Sequence, residues 1–476
     1  MAEEAIVRRL YGKGAEVSDG RYRTLKSRLK KIMFDSLLNE EVMSGNYATY
    51  DDAYIMGYRQ LNLARILSIQ RAYHAAAEVA SNAFKNVRHY EIIPLNEGLT
   101  DVISSMYLGI LRNPRLFKKY HELHQYYARA QYDMAVATGK YRVLRGEIYA
   151  HQKSSQRIGE IALKFTEETK HLLDKYPTVP PLQAMIRITE IMGLKYSGRY
   201  LEAIQAARVA EDALAKCSGI SSMVSSNIAL LQVECALNLR DFEVGYKQVE
   251  KTRSLVPPGT INDLKLSEYA VLLGLHTGNY DYAYQKIVTL DRVTLSNLPT
   301  EQVKEFWLIL EAYIRFLIIA GRIDVSEADQ RLRNFRLGKF MNEVSSYAAN
   351  KYGMNIQILV LQAMFFIVRG EFEKFMDRTD ALDRYCNRYL KDNDNLRHNC
   401  FFRLLIEVVK GNFNLHARRR KIMVIYDRMT SEEAVEISRK TNSEILPYEV
   451  LWAILEDSIE RHTASGLLVR GRDLQS

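Results

Sequence analysis

Proline is scarce, nine residues in 476, and each one stands where a helix would start or a linker run, as in YPTVPPLQ, LVPPGT, SNLPTEQ and EILPYE. Proline inside a helix removes a backbone donor and collides with the preceding turn, so this placement leaves long helices uninterrupted. Strand-like alternation is nearly missing as well, which argues against a sheet. Cysteine occurs only at positions 217, 235, 386 and 400, with no CxxC pair. That excludes a disulfide framework, and the thiols read as small apolar residues of a reduced, cytoplasmic protein. No apolar run reaches the length of about 20 residues that a membrane span needs. FWLILEAYIRFLIIAG is interrupted by Glu311 and Arg315, and IQILVLQAMFFIVRG by Gln357 and Gln362. The opening MAEEAIVRRLYGKG puts acidic residues first and lacks the layout of a secretory signal. No contact with a membrane is expected.

What the chain does have is helical periodicity over a large apolar content, 47% of its residues. Val303, Phe306, Trp307, Leu310, Ile314 and Leu317 fall at i, i+3, i+4, i+7, i+11 and i+14, on one face of a helix. The expected fold class is therefore all-α. A length of 476 residues suits two or three domains or one continuous array. The formal charge of +9 is a mild bias for that length rather than a nucleic-acid signature.

A short pattern recurs: glycine, any residue, then an aromatic. It falls on Gly45 and Tyr47, Gly139 and Tyr141, Gly198 and Tyr200, Gly278 and Tyr280, Gly370 and Phe372, and Gly411 and Phe413, with looser copies at Arg240 and Phe242 and at Gly321 and Ile323. From Gly198 onward the spacings are 42, 38, 43, 49 and 41 residues, the length of two helices with two short turns. Glycine adopts the left-handed conformation that commonly ends a helix, so it stops the first helix of a pair. The aromatic then opens the return helix and packs back between the two, which predicts a buried Tyr280. Ala203, Ala206, Ala207 and Ala210 allow close approach of neighbouring helices.

GRYLEAIQAARVAEDAL resembles the second half of a tetratricopeptide repeat on Gly198, Tyr200, Glu202, Ala203, Ile204 and Ala210, and TGNYDYAYQKIVTL keeps Gly278, Tyr280 and Ala283. The large aromatic and Leu-Gly pair of that family's first helix are missing before Gly198, and the period is longer. The resemblance covers residues 182 to 292 well and continues loosely to about 425. It implies a right-handed α-solenoid of tetratricopeptide-like helical hairpins whose concave face holds peptides or protein segments. The expected organisation is a basic N-terminal helical segment (1–48), N-terminal helical hairpins (49–180), tetratricopeptide-like repeats (181–425) and a C-terminal helical cap and tail (426–476), with the proline group at 177, 180 and 181 as the clearest boundary. Thr430 and Glu433 have the spacing of a capping box at the start of the last segment, and SGLLVRGRDLQS is expected to fray.

Chemistry is hard to assemble from these residues. His121 and His124 in HELH stand three apart, unlike the pair of a zinc-protease helix. Cys386, His398 and Cys400 lack a four-ligand spacing, so packing is the simpler reading. GKGAEVSDG lacks the strand and the hydroxyl residue of a phosphate loop and reads as a turn. Asp392 and Asp394 in KDNDNL lack the glycine and distant glutamate of a calcium loop, and no Gly-x-Ser-x-Gly elbow occurs. The chain is expected to be no enzyme and to carry no metal or cofactor.

Two basic clusters remain. Residues 8 to 31 hold nine Lys or Arg against Glu16 and Asp19, and Tyr22, Leu25, Leu29 and Met33 could form the apolar stripe of a helix bearing Arg23, Lys26 and Lys30. Such a helix either docks on the repeats or contacts nucleic acid or an acidic partner. Arg418, Arg419, Arg420 and Lys421 form the second cluster, which could compensate carbonyls or acidic neighbours at a helix end. The expected function is a non-catalytic, helical-repeat scaffold or adaptor in protein–protein interaction, binding a protein or peptide whose identity the sequence does not give. The thirty tyrosines suit such a surface. The alternative is a nucleic-acid-binding regulator that uses the basic segment, with the solenoid as sensor or dimerisation platform. A third reading, a subunit of a larger machine and so an oligomer, is left open by the sequence.

Overall fold

The computed structural model describes residues 3–12, 14–39, 49–150, 155–217, 222–290, 292–297, 301–324, 337–343, 354–391, 395–441 and 444–466. Among these residues every regular element is helical. The chain divides into two compact units, residues 1–132 and 133–476. The first contains α1 (Glu3–Tyr11), α2 (Gly20–Asn39), α3 (Tyr50–Ile69), α4 (Tyr73–Val87), α5 (Ile93–Gly109) and the beginning of α6 (Pro114–Ala150). The second holds the rest of α6 and then α7 (Ser155–Thr169), α8 (His171–Lys175), α9 (Pro180–Tyr196), α10 (Tyr200–Leu214), α11 (Ser222–Leu239), α12 (Phe242–Arg253), α13 (Ile261–Thr277), α14 (Tyr280–Val288), α15 (Arg292–Asn297), α16 (Glu301–Ile319), α17 (Leu337–Glu343), α18 (Met354–Val368), α19 (Phe372–Tyr389), α20 (Leu396–Lys410), α21 (Arg419–Thr430), α22 (Glu432–Thr441) and α23 (Tyr448–Ala464).

The repeated turn does what its chemistry requires at several places. Gly198, Gly278, Gly321 and Gly370 have φ of 74°, 75°, 74° and 71°, and the aromatics Tyr200, Tyr280 and Phe372 are the first residues of the helices that follow. Arg240 takes the same left-handed step at φ 56° without being glycine, and Phe242 opens α12. Two glycines behave differently. Gly139 lies inside α6, because Ala137, Tyr141, Leu144 and Ile148 continue one apolar stripe past it and one interior glycine costs only about 1 kcal/mol. Gly411 has φ −88°, and the left-handed steps fall on Asn412 and Phe413. Gly411 is needed for room instead, since a Cβ there would stand 2.9 Å from the Asn414 carbonyl oxygen.

The aromatics fill the hairpins unequally. Tyr200, Phe372 and Phe413 are buried, with the Phe372 and Phe413 rings 4.4 Å apart. Tyr280, expected to be buried, is only partly so and packs on the core from its edge. The helices cross at small residues: a Cβ on Gly274 of α13 would meet the Cβ of Ala283 on α14 at 2.9 Å. The stripe expected in α16 faces inward, with Trp307, Leu310, Ile314 and Leu317 almost fully buried. Thr430 is not the cap of α22. Its hydroxyl donates back to the Tyr426 carbonyl, and Ser431 accepts the Ala434 N–H at 3.3 Å. The GKGAEVSDG segment is a turn between α1 and α2 as far as it is described. Gly45, Tyr47, Asp392, Asp394 and the tail from 467 lie outside the described residues.

In the second unit consecutive helices pack on each other from α9 to α14, and α9, α11 and α13, the first helices of successive hairpins, also touch one another. The C-terminal helices do not simply continue this order. α22 packs on α11, α20 and α21, and α23 packs on α18. His276 of α13 bonds the Glu444 carbonyl at 2.9 Å, Arg322 pairs with Asp457, and His462 meets the Val368 carbonyl at 3.1 Å. Residues 432 to 464 thus lie across the first helices of several hairpins.

Candidate functional site

Arg23, Lys26 and Lys30 sit on α2, as the periodicity placed them. Tyr22 is buried and its hydroxyl donates to Glu3 at 3.1 Å, while Lys26 pairs with the same carboxylate. These bonds hold Glu3 below the usual carboxylate range, with Lys26 the larger cause. The remaining stripe is open to solvent: Leu25, Leu29, Ile32 and Met33 are 41%, 54%, 64% and 55% exposed. Arg21 and Arg28, with Tyr11 and Leu25, line a groove of about 620 Å³ beside this helix.

The second basic cluster starts a helix rather than ending one. Arg418 closes the short 3-10 turn Leu415–Arg418, and Arg419 and Arg420 are the first residues of α21, exposed. Cations there oppose the helix dipole, so compensation of carbonyls is not their role. Compensation of an acidic neighbour holds for Arg418, whose guanidinium pairs with Glu407 at 2.8 Å. Arg418, Arg419 and Arg420 belong to the second unit, and Arg23, Lys26 and Lys30 to the first.

The histidine and cysteine candidates do not converge. His121 bonds Gln125, and His124 lies 3.6 Å from the Glu97 carboxylate. Cys386 and Cys400 are buried free thiols, and burial raises the Cys386 pKa to about 11. Among the described residues no three His, Cys, Asp or Glu side chains gather as metal ligands.

His398 belongs to a polar network that the sequence did not announce. Arg397 forks onto Glu444 (2.6 and 2.9 Å) and Glu449 (2.9 and 2.8 Å) and also donates to the Met429 carbonyl at 3.0 Å. Ser438 donates to Glu444 at 2.8 Å. Beside it, Tyr313 donates to the Gln357 amide oxygen at 2.9 Å, the Gln357 amide donates to Tyr448 at 3.2 Å, and the Tyr448 hydroxyl meets His398 Nδ1. Burial lowers the His398 pKa to about 4, so the ring is neutral and accepts from Tyr448. Glu444 stays ionised because Arg397 outweighs its burial. A second buried group links first helices, with Lys195 of α9 on Glu234 of α11 at 2.9 Å and Tyr269 of α13 on the same carboxylate at 2.9 Å. Largely buried, these networks fix helices against each other. Apart from Ser438 and Glu444, their partners are 32 to 91 residues apart, a separation no short motif reports.

The first unit contains a different arrangement. Glu91 adopts the left-handed conformation at φ 49° after the short 3-10 turn Arg88–Tyr90, and one of its carboxylate oxygens is buried without a hydrogen bond. Asn96, fully buried in α5, leaves both amide atoms unbonded, and the buried Tyr127 phenol feels both Asn96 and Glu91. Burial raises the Glu91 pKa to about 7. An acid whose pKa is raised on folding holds a proton that the unfolded chain releases, so stability falls as pH rises from about 4.5 to 7. Glu91→Gln should therefore stabilise the protein by about 1–2 kcal/mol at pH 8, after allowing for screening at this partly exposed group, and have little effect at pH 5. Urea midpoints at the two pH values check this, and an equal shift at both would show that the carboxyl is not the cause.

No protein-family model matches the chain, and no curated protein matches it.

Proposed function

We propose that this chain is a non-catalytic, tetratricopeptide-like helical-repeat scaffold that binds a protein or peptide partner. The observation that supports it most directly is the seating of residues 444 to 464 across the first helices of several hairpins, where Tyr448 stacks on Phe401 at 4.4 Å and His462 reaches α18. A surface that holds a helix of its own chain has the apolar floor and polar anchors that helix recognition uses. The left-handed turns at Gly198, Arg240, Gly278 and Gly370 fit hairpins of one design, stacked as a right-handed solenoid. Four buried free thiols fit a cytoplasmic setting.

Magnitudes decide where a partner would bind. Freeing α23 uncovers Tyr448, Leu451, Trp452, Ile454, Leu455 and Ile459, each at most 4% exposed. At about 1.5–3 kcal/mol per large side chain, the loss of about 9–18 kcal/mol is comparable to the roughly 12 kcal/mol of a nanomolar complex, so exchange gains nothing. A peptide therefore does not exchange with α23, and binding falls to surface that is free. The nucleic-acid alternative is weaker, since Lys26 already has a carboxylate and the exposed stripe beside it offers phosphates nothing. Affinity capture of the full chain, with bound protein identified and nucleic acid measured in the same sample, tests the reading. Stoichiometric protein without nucleic acid is expected, and nucleic acid in fixed proportion would favour the regulator.

A further inference from the structure

Among the described residues, helix α2 has an exposed apolar face and a charge pattern that says what could cover it. Tyr22, Leu25, Leu29 and Met33 lie at i, i+3, i+7 and i+11, with Ile32 beside them, and of these only Tyr22 is buried. Arg21 and Arg28, seven residues apart, run along one edge of the stripe, and Arg23, Lys26 and Lys30 along the other. Residues 1 to 33 hold nine Lys or Arg against four Asp or Glu. One of those acids shows the mode of contact: Glu3 of α1 bonds Tyr22 and Lys26 together at the start of the stripe. The groove beside it combines the Leu25 side chain with Arg28 and with Arg21, whose guanidinium is already bonded to Asp19 at 2.9 Å, so Arg23 and Arg28 are the guanidiniums left to meet a carboxylate. Guanidinium forks match carboxylates in two-point geometry, and the apolar strip between the charged edges has the width of one helix face.

We infer that α2 is the docking element for an acidic amphipathic helix of a partner protein, which lays its apolar face on Leu25, Leu29, Ile32 and Met33 and its carboxylates on Arg23 and Arg28 along the two edges. This rests on the binding-scaffold reading and names the partner's chemistry. Duplex nucleic acid has no apolar surface for the stripe. An anionic membrane is a poorer fit, since the stripe has no Trp or Phe to anchor at a lipid interface.

The test is photo-crosslinking from the full chain in cells, with the reactive residue placed at Leu29 or, as a control on the opposite face, at the exposed Ser27. The expected result is a protein adduct at least several-fold stronger from Leu29, mapping by mass spectrometry to a net-acidic segment of another protein and lost in the R23E/R28E variant. Both arginines are exposed, so unchanged circular dichroism should accompany that loss. Adducts to a second copy of this chain, adducts to nucleic acid, or equal yields from both positions overturn the inference. So does tight binding of the purified chain to phosphatidylcholine–phosphatidylserine vesicles that L25D/L29D abolishes. If affinity capture still returns a stoichiometric protein while Leu29 gives no adduct, the scaffold reading survives and the assignment to α2 fails.

Discussion

Arg397→Ala is expected to destabilise the second unit by about 3–5 kcal/mol, because it strands an ionised carboxylate in the interior. Arg397 is 2% exposed, and its five N–H donors make five bonds, four to Glu444 and Glu449 and one to the Met429 carbonyl. Glu444, itself 4% exposed, would keep only Ser438. Lysine should not rescue, since three donors on a compact ammonium cannot span two carboxylates and a carbonyl. Pairing Arg397→Met with Glu444→Gln should recover part of the loss, because the doubly altered site buries no net charge. Denaturant unfolding of these three variants reads this directly. A double variant no better than Arg397→Ala would mean that the packing of the side-chain stem, not charge, carries the effect.

Ending the chain after Ser431 is expected to do more. The removed segment contributes Ile445, Leu446, Tyr448, Leu451, Trp452, Ile454, Leu455 and Ile459 to the core, each at most 4% exposed. It also takes away the partners of His276, His398, Gln357 and Arg397. At about 1.5–3 kcal/mol per large side chain, the loss of about 12–24 kcal/mol reaches or exceeds the 5–15 kcal/mol by which whole domains are ordinarily stable. The truncated protein should lose its cooperative thermal transition and bind a hydrophobic dye while retaining much of its helix signal. A melting temperature within a few degrees of the parent would show that the segment is an accessory.

Much of the secondary structure could be read because helical periodicity and turn chemistry are local. The stripe of Trp307, Leu310, Ile314 and Leu317 reports which face is buried, and glycine at 198, 278, 321 and 370 reports a left-handed step. The same rule misled at Gly139, where an apolar stripe overrode the turn signal, and at Gly411, where the glycine makes room for a carbonyl. Tyr280 shows a second limit: an aromatic after the turn marks the start of a helix, but its depth depends on neighbours from other hairpins. Periodicity names a face and not its partner, so Arg397 with Glu444 and His276 with its carbonyl could not be paired in advance. For the same reason Glu91 gave no signal, since its isolation is made by Asn96 and Tyr127 around it. On α2 the stripe was legible, but whether other helices covered it was not.

The position of the closing segment also sets an order of events during synthesis. Phe401 and Tyr448 stack in the folded protein, and 47 residues separate them in the chain. At roughly 5–20 residues per second the ribosome needs about 2–9 s to add that stretch. Through that interval the core surfaces of α18 and α20 are finished but bare, and the earlier hairpins wait for a lid that is made later. The nascent chain is thus most prone to aggregation while that stretch is being added, so the variants that leave a cell with little of this protein should cluster in α22 and α23.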